Sequence, residues 1–385
     1  MPTAIRRFLI RVYNSAKSHL ESILTILGVK SLLFRFLYRP DRIDFNKLTS
    51  SLENASASEL LDPSISAGLV SLIKKNVFAK VTFDELASFL YGLFVYRKTG
   101  YTPQCSHNAF VSIFEKTNGL AQEIMHQSLF TVPSAALLNI NPQTSLTSFK
   151  GDTGLDSLHN SLSLLKTDGY CILPFSLSAN IFSLLMSEIA AMPFYLDKDK
   201  SNLYGQIDPA SPPSCHVAHA QRDVLHSSKL IQGLLTHPLL LSLASAYLSA
   251  DADLINSSLW YSFPAASPSS AAAQYFHYDL DTFKWLKLFI YLSDVDDSSG
   301  SHEYVPGSHL PGSKPASLLV RGYSRLSDAE VEASYPQLRT SITCPSGTIV
   351  FGDTRCYHKG NLPISGYRLA LQGVYAPSTY SYNVV

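Results

Sequence analysis

The chain has 385 residues, of which 46% are hydrophobic and only 16% are charged, so its composition predicts a folded protein and excludes a disordered one. Lys and Arg together number 30, as do Asp and Glu, and this balance, without a basic stretch interleaved with aromatic residues, argues against a nucleic-acid partner. The five cysteines form no C-x-x-C pair, which favours buried free thiols over a disulfide framework.

The first forty residues differ from the rest of the chain. Apolar residues recur there at helical spacing among seven basic residues and a single acid, Glu21. A helix packed on the protein, a helix on a membrane surface and a cleaved transit peptide all fit this pattern. No apolar run in the chain reaches the roughly 18 residues of a membrane span. We therefore expect a cytoplasmic protein with peripheral membrane contact through residues 1–40, and the sequence leaves its oligomeric state open.

Residues 55–130 are predicted to be helical. Thr82 and Glu85 form a capping-box pattern before "LASFLYGLFVY", Ser106 is placed to cap "HNAFVSIFEKT", and Asn118-Gly119 should end that helix. A stretch rich in Ser, Thr, Asn, Pro and Gly follows at 132–157, which is typical of a loop. We therefore predict a helical N-terminal region of unknown role at 1–150 and a second domain at 151–385.

The second half of the chain is rich in predicted strands. A helix, the Asp168-Gly169 turn, a short strand, a helix capped by Ser178 and a helix over 226–248 come first. From residue 254 onward, short apolar segments alternate with Gly, Pro, Asp and Ser, which favours a sandwich or barrel. These segments are "LINSSLWYSF", "AQYFHYDL", "WLKLFIYLSDV", "HEYVPGSH", "TIVFGD" and "YRLALQGVYA". The fold class is therefore predicted to be α+β.

Candidate metal ligands stand in the segment "QYFHYDLDTFKW". His277 and Asp279 are two residues apart, so in a strand their side chains project to the same face. A third ligand must come from elsewhere in the chain, and His358 in "FGDTRCYHKGN" is the best candidate. Two histidines and one carboxylate that leave coordination positions open form the facial triad of non-haem Fe(II) oxygenases.

Arg368 lies ten residues after His358, inside the apolar segment "YRLALQGVY". A buried arginine is costly unless it meets an anion, and its planar fork matches a carboxylate. If the metal binds an α-keto acid, Arg368 could hold the far carboxylate. The structural alternative is an ion pair inside the protein, with Asp353 as the partner.

Taken together, these motifs resemble the phytanoyl-CoA dioxygenase-like family of Fe(II)/2-oxoglutarate oxygenases. The resemblance covers roughly residues 158–378, and it is strongest over "FHYDLDTFKWLKLFIYLSDVDDSSGSHEYVPGSH", "GTIVFGDTRCYHKGN" and "YRLALQ". It implies a double-stranded β-helix, which is a cupin-like jelly roll, as the catalytic core, with flanking helices and an additional N-terminal helical region. It also implies that His277, Asp279 and His358 are iron ligands and that Arg368 anchors the C5 carboxylate of 2-oxoglutarate.

Further expectations concern Lys287, the carboxylate of Asp279 and three other histidines. By resemblance, Lys287 helps to hold the co-substrate, although a lysine that extends from a strand towards solvent fits equally. Because Asp279 is present, where halogenating relatives have a small residue, the resemblance favours hydroxylation. We interpret His309 in "VPGSH" as a turn residue and not a fourth ligand. His216 and His219 in "CHVAHA" are interpreted as substrate contacts or as residues without a role.

The sequence therefore predicts an Fe(II)/2-oxoglutarate-dependent dioxygenase. It would use O2 to hydroxylate a small, apolar or lipid-like organic substrate and release succinate and CO2. One alternative is a catalytically silent metal-binding jelly roll that acts as a binding or scaffold module, and another is an oxygenase attached to an N-terminal docking module. Because neutral imidazoles are required as ligands, activity should fall as the pH drops through the histidine range.

Overall fold

The computed structural model describes residues 80–130, 146–196, 203–322 and 324–385, together with a few positions between 64 and 75. The predicted amphipathic segment at 1–40 lies outside the described residues, as does the part of the predicted loop at 131–145. The chain divides into two compact units. The first consists of Met1–Thr131, Leu280–Lys284 and Ser378–Val385. The second consists of Val132–Asp279 and Trp285–Pro377. The division at residue 150 stays a prediction.

Three helices make up most of the described part of the first unit. Its helices are α1 (Phe83–Thr99), α2 (Gln104–Thr117) and α3 (Leu120–Phe130). The capping box predicted for α1 is confirmed, because the Glu85 N–H donates to the Thr82 hydroxyl (3.3 Å) and the Thr82 N–H donates to the Glu85 carboxylate (2.7 Å). These bonds satisfy backbone donors that the first helical turn leaves without partners.

The predicted end of α2 is confirmed and its predicted start is wrong. Asn118 has a left-handed conformation with φ 50°, and Gly119 follows at φ 78°, which stops the helix. The helix begins two residues before Ser106, after Pro103 as the N-cap. Ser106 is instead fully buried within α2, so packing of the helix and not a hydroxyl cap decides where it starts.

The second unit contains seven helices and twelve strands among the residues that the structure describes. The helices are α4 (Leu155–Thr167), α5 (Ala179–Ala190), α6 (Arg222–Ser227), α7 (Lys229–Leu235), α8 (Pro238–Leu248), α9 (Ala316–Leu319) and α10 (Asp328–Ser334). The strands are β1 (Phe149–Gly151), β2 (Tyr170–Leu177), β3 (Phe194–Leu196), β4 (Leu203–Gly205), β5 (Val217–Ala220), β6 (Asp253–Ser262), β7 (Leu286–Tyr291), β8 (His302–Tyr304), β9 (Thr340–Ile342), β10 (Thr348–Gly352), β11 (His358–Gly360) and β12 (Arg368–Ala376).

The strands form two sheets in which neighbouring strands are antiparallel. The larger sheet has the order β1-β2-β10-β7-β12-β6-β5-β3-β4, and the smaller one has the order β11-β8-β9. The central strands β7, β10 and β12 are almost entirely buried, with runs of Leu, Ile, Val and Phe. Helices and antiparallel sheets in one chain confirm the predicted α+β class.

Two predicted elements have a different local structure. The predicted helix over 226–248 is interrupted, because Pro238 lacks the N–H that an uninterrupted helix needs and instead begins α8. The predicted strand "AQYFHYDL" is not a regular strand, because Phe276 and His277 form single bridges to Leu326 and to His358 in separate parts of the chain. Ser178 is the N-cap of α5, as predicted, although its hydroxyl makes no capping bond.

No single described helix is both long enough and apolar enough to cross a membrane, whereas α7 and α8 together, bent by 40°, pass that test on length and composition. All five cysteines are free thiols, as the sequence predicts, but only Cys171, Cys215 and Cys356 are buried, whereas Cys105 and Cys344 are partly exposed.

Candidate metal centre

Backbone pairing brings the three predicted ligands together. The His277 N–H donates to the His358 carbonyl at 3.0 Å, and the His358 N–H donates to the His277 carbonyl at 2.8 Å. Two residues on, the Asp279 N–H donates to the carbonyl of Thr354 at 2.8 Å. The irregular segment that carries His277 and Asp279 is thereby fixed against the segment that leads into β11. The sequence predicts that His277 and Asp279 share one face of a regular strand. In the structure, pairing between two separate segments of the chain brings their side chains together instead.

The side chains of the three residues converge. Nε2 of His277 and Nε2 of His358 each lie 3.7 Å from an oxygen of Asp279. One potential ligand atom from each residue lies within 4.8 Å of the others. A divalent ion with ligands about 2.1 Å away spans donor atoms that are up to about 4 Å apart, so this arrangement fits a small metal ion with slight closure.

Hydrogen bonds hold both imidazoles in the orientation that a metal requires. Nδ1 of His277 lies 2.9 Å from the carbonyl of Tyr275, and Nδ1 of His358 lies 3.0 Å from the carbonyl of Cys356. A carbonyl only accepts, so each Nδ1 carries the proton and donates it. The lone pair is therefore on Nε2, which points to Asp279. Such a bond behind a ligating imidazole is typical of metal centres.

The electrostatic environment keeps the three groups ready to bind a cation. Burial lowers the pKa of His277 to about 3, with a further contribution from His358, and burial also lowers the pKa of His358. Burial acts to raise the pKa of Asp279, but Lys287 and the two imidazoles together lower it below the usual range. Burial thus favours the neutral form of both imidazoles, and the surrounding positive charge favours the ionised form of the carboxylate. The fall in activity as the pH drops through the histidine range stays a prediction, and the lowered pKa values of the two histidines shift it to lower pH.

Lys287 contacts the centre directly. It lies on β7, and its Nζ donates to Oδ2 of Asp279 at 2.6 Å, with side-chain exposures of 12% and 13%. The side chain therefore points to the triad and does not extend to solvent, so the alternative of a solvent-directed lysine is wrong. Whether Lys287 also holds a co-substrate stays a prediction.

Arg368 is the first residue of β12 and only 3% exposed. Its guanidinium donates to the carbonyl of Gly300 and to the hydroxyl of Ser262, while its Nε has no hydrogen-bond partner in the part of the chain that the structure describes. Burial lowers the pKa of Arg368 to about 10. A buried guanidinium with an unused donor suits an anion that enters from outside.

Gly360 on β11 provides the space for this guanidinium. A Cβ at this position would lie 2.8 Å from Nη2 of Arg368 and 3.4 Å from its Nη1. A larger residue in place of the glycine in the "YHKGN" motif would therefore displace the Arg368 guanidinium from its present position. The histidine and the glycine of one short strand thus serve two different parts of the centre.

The alternative partner of Arg368, Asp353, is engaged elsewhere. Its carboxylate accepts from Nε and Nη2 of Arg355, at 3.0 and 2.6 Å, and from the hydroxyl of Tyr247 at 2.5 Å. Burial acts to raise the pKa of Asp353, but Arg355 outweighs it and lowers that pKa. The proposed Arg368–Asp353 ion pair is therefore wrong, because the neighbouring Arg355 occupies the carboxylate.

The remaining histidines have varied surroundings. His309 is buried, and its Nδ1 lies 3.5 Å from the thiol of Cys356, so it is outside the triad, as expected. Nε2 of His216 lies 2.9 Å from the carbonyl of Ser267. His219, by contrast, lines the cavity that contains the triad, and so does His302, which the sequence reasoning missed. The regular i, i+2 pattern of a strand gives no signal for His302, because its proximity depends on the pairing of β8 with β11.

The triad opens into a cavity of about 300 Å³ within the second unit. A further cavity of about 630 Å³ shares His219 and Ser258 with it. The lining of the triad cavity combines apolar and charged groups, which include Trp260, Phe289, Ala271, Ala272, Ala273, Lys287, Arg325, Arg368 and Gln372. Arg325 is a second residue that the sequence reasoning missed, since it stands in a loop without a recognisable motif.

No protein-family model matches the chain, and no curated protein matches its sequence. Solved structures similar to part of the chain include the non-haem α-ketoglutarate-dependent epimerase SnoN from nogalamycin biosynthesis, with 19% identity, 58% of this chain and 84% of that chain covered, and a TM-score of 0.41. They also include EctD from S. alaskensis with bound Fe, with 19% identity, 60% of this chain and 80% of that chain covered, and a TM-score of 0.42. HygX from Streptomyces hygroscopicus with nickel and 2-oxoglutarate bound is similar as well, with 18% identity, 57% of this chain and 86% of that chain covered, and a TM-score of 0.42.

Proposed function

We propose that the protein is an Fe(II)/2-oxoglutarate-dependent dioxygenase that hydroxylates a small organic substrate, apolar or lipid-like, with O2 as the oxidant and with release of succinate and CO2. The observation that carries this proposal is the joint placement, in one cavity, of a His-Asp-His triad and a buried arginine without a carboxylate partner among the described residues. A metal site alone would not need the arginine. The proposal includes a double-stranded β-helix as the core and membership of the phytanoyl-CoA dioxygenase-like family.

The protein's own residues would bind and orient the reactants. His277, Asp279 and His358 would hold the iron through two imidazole nitrogens and a carboxylate oxygen. Arg368 would bind the C5 carboxylate of 2-oxoglutarate through a charge-assisted fork. The iron and co-substrate supply the oxidation of a C–H bond coupled to decarboxylation of the keto acid.

The surroundings would control where the reaction occurs. The ion pair with Lys287 holds the Asp279 carboxylate between the imidazoles. Oδ1 lies 3.7 Å from Nε2 of His277, and Oδ2, which Lys287 also binds, lies 3.7 Å from Nε2 of His358. Trp260 and Phe289 supply apolar wall, which excludes water from the reacting atoms. The open space of about 300 Å³, with the larger cavity beside it, has room for a co-substrate and a substrate of small-molecule size.

A binding experiment without any substrate tests the proposal. Isothermal titration calorimetry under anaerobic conditions should show Fe(II) binding with a stoichiometry of one. It should also show that 2-oxoglutarate binds more tightly to the iron-loaded protein than to the metal-free protein. A screen of metabolites would then detect turnover as succinate release above the uncoupled rate. Iron binding without any 2-oxoglutarate binding would favour the catalytically silent metal-binding module instead.

A further inference from the structure

The charges that line the triad cavity are unbalanced. Among its lining residues in the described part of the chain, three side chains are basic, namely Lys287, Arg325 and Arg368, and one is acidic, Asp279. Fe(II) and 2-oxoglutarate, if bound as proposed above, would add two positive and two negative charges. They would therefore leave the positive excess unchanged. A cavity with such an excess attracts a further anion.

The three basic side chains differ in how they are used. Lys287 is paired with Asp279 at 2.6 Å, and Arg368 donates to Gly300 and Ser262. Arg325 makes no hydrogen bond or ion pair with any residue that the structure describes, although it is only partly exposed. A half-buried guanidinium has lost part of its hydration. Hydrogen bonds from its planar fork to a carboxylate or a phosphate would replace the hydrogen bonds to water that it has lost.

The position of Arg325 is fixed by the residue that follows it. The Leu326 N–H donates to the carbonyl of Phe276 at 2.8 Å, and the Phe276 N–H donates to the carbonyl of Leu326 at 3.0 Å. Phe276 immediately precedes His277, so this bridge holds Arg325 beside the segment that carries two of the three ligands. Its charge also contributes to the lowered pKa values of His277 and His358, for which burial is the larger cause.

We propose that Arg325 binds an anionic group, a carboxylate or a phosphate ester, of the organic substrate and so places the rest of that molecule against the triad. This inference rests on the proposed oxygenase function, because it assigns Arg368 to the co-substrate. It narrows the substrate from any small apolar molecule to an acid with an apolar part. Trp260, Phe289 and the alanines at 271–273 supply apolar surface for that part.

The test measures the binding of two simple anions, acetate and methyl phosphate, by calorimetry. The protein is first loaded anaerobically with Fe(II) and 2-oxoglutarate, so that Arg368 and the metal are occupied. The variants are Arg325→Gln, Arg325→Lys and, as a matched control, Arg321→Gln. Arg321 lies four residues earlier on the surface, where it is paired with Glu330 outside the cavity. Thermal melts of all variants show whether they remain folded.

We expect one of the two anions to bind the wild type, and Arg325→Gln to weaken it by roughly ten- to a hundredfold, as the loss of a charged hydrogen-bond donor does. Arg325→Lys should recover part of the affinity, and Arg321→Gln should leave it unchanged. The preferred anion identifies the acid group as carboxylate or phosphate. The proposal is overturned if neither anion binds, or if Arg321→Gln weakens binding as much as Arg325→Gln.

A parallel titration with 2-oxoglutarate separates this inference from the oxygenase function. If Arg325→Gln weakens 2-oxoglutarate binding as strongly as anion binding, Arg325 belongs to the co-substrate and the inference is wrong while the oxygenase function stands. If the wild type binds no 2-oxoglutarate, the oxygenase proposal fails, and the assignment of Arg325 to an acidic substrate of that enzyme fails with it.

Discussion

Two cavities, one in the described part of each unit, are lined by different kinds of side chain. In the first unit, Phe89, Phe110, Phe283 and Tyr380 form a ring cluster with centroids 5.1–5.9 Å apart, and the Tyr380 hydroxyl donates to the carbonyl of Phe89 at 3.2 Å. A cavity beside two of these rings has a volume of only about 10 Å³, which is room for at most one water.

In the second unit, the cavity is about thirty times larger and is lined by charged groups and imidazoles. Burying such groups costs free energy that ring packing does not cost, and stability alone does not explain their presence. Among the described residues, the first unit therefore packs its rings around almost no free space, whereas the second keeps an open cavity lined by charged groups.

The largest effect should come from the triad itself. His277→Ala or His358→Ala should abolish Fe(II) binding, because two remaining ligands do not hold a first-row divalent ion tightly. The loss should exceed the roughly 10- to 100-fold that removing a group behind a ligand costs. Calorimetry with Fe(II) checks this, with His216→Ala as the control, which should bind iron like the wild type. Wild-type iron affinity in either triad variant would refute the ligand assignment.

Removing a buried ring from the first unit should lower the stability of the protein and leave its iron affinity unchanged. Phe283→Ala removes a fully buried ring and should cost about 3–5 kcal/mol of unfolding free energy. Both tryptophans, Trp260 and Trp285, lie in the second unit, so tryptophan fluorescence follows the unfolding of that unit. Far-ultraviolet circular dichroism follows the loss of helix in both units. We expect iron affinity to be retained in the folded variant. A parallel loss of iron affinity would break the distinction between a packed unit and a functional unit.

Arg368→Ala should separate the co-substrate from the metal. It would leave the C5 carboxylate desolvated without its partner, which costs roughly 2–5 kcal/mol, or about thirty- to a few thousand-fold in 2-oxoglutarate affinity. Iron affinity should change little, and Arg368→Lys should recover only part of the loss because an ammonium lacks the planar fork.

The control for this variant is Asp353→Ala. It leaves Arg355 buried without its carboxylate, so it should destabilise the protein by about 3–5 kcal/mol. Its 2-oxoglutarate affinity should stay near the wild-type value in the protein that remains folded. Unchanged 2-oxoglutarate affinity in a folded Arg368→Ala protein would remove the main support for this co-substrate.

Acid should destabilise the second unit through its buried histidines. Burial, the largest cause in each case, lowers the pKa of His277 to about 3 and of His309 to about 4, and also lowers those of His302 and His358. Between pH 6.5 and about 4 the unfolded chain binds protons at His277 and His309 and the folded chain does not. Stability therefore falls as the pH falls, by roughly 2 kcal/mol for each of these two histidines between pH 7 and pH 5, and the lowered pKa values of His302 and His358 act in the same direction.

Urea unfolding of the metal-free protein at several pH values, followed by tryptophan fluorescence, measures this slope. His309→Gln should reduce the slope without changing iron affinity, because His309 lies outside the triad. A midpoint that does not move between pH 7 and pH 5 would show that these imidazoles are not buried in the neutral form.

The smallest expected effect concerns the space for Arg368. In Gly360→Ala the new Cβ would displace the guanidinium, so 2-oxoglutarate affinity should fall about tenfold, which is the contribution of one charged hydrogen bond. Gly233→Ala in α7 is the matched control, because a Cβ there meets nothing within 4 Å. It should leave binding unchanged and stabilise the helix by about 0.5–1 kcal/mol. Equal effects of the two substitutions on co-substrate binding would contradict the packing argument.

Features that depend on neighbours along the chain can be predicted from the sequence alone. The Thr82–Glu85 capping box, the stop at Asn118 and the apolar strands β7 and β12 follow from local patterns and were predicted correctly. The spacing of His277, Asp279 and His358, read together with a family resemblance, also identified three residues that the structure places within 4.8 Å.

Which side chains meet across the centre depends on the tertiary structure. Lys287 turns to Asp279, and Arg325 and Arg368 line the same cavity from a loop and from β12. These contacts depend on the order of strands in the sheet, which is set by long-range packing and not by the local pattern of any one strand. The pairing of Asp353 with Arg355 is local, since the two residues are two positions apart, and it leaves Arg368 without that carboxylate.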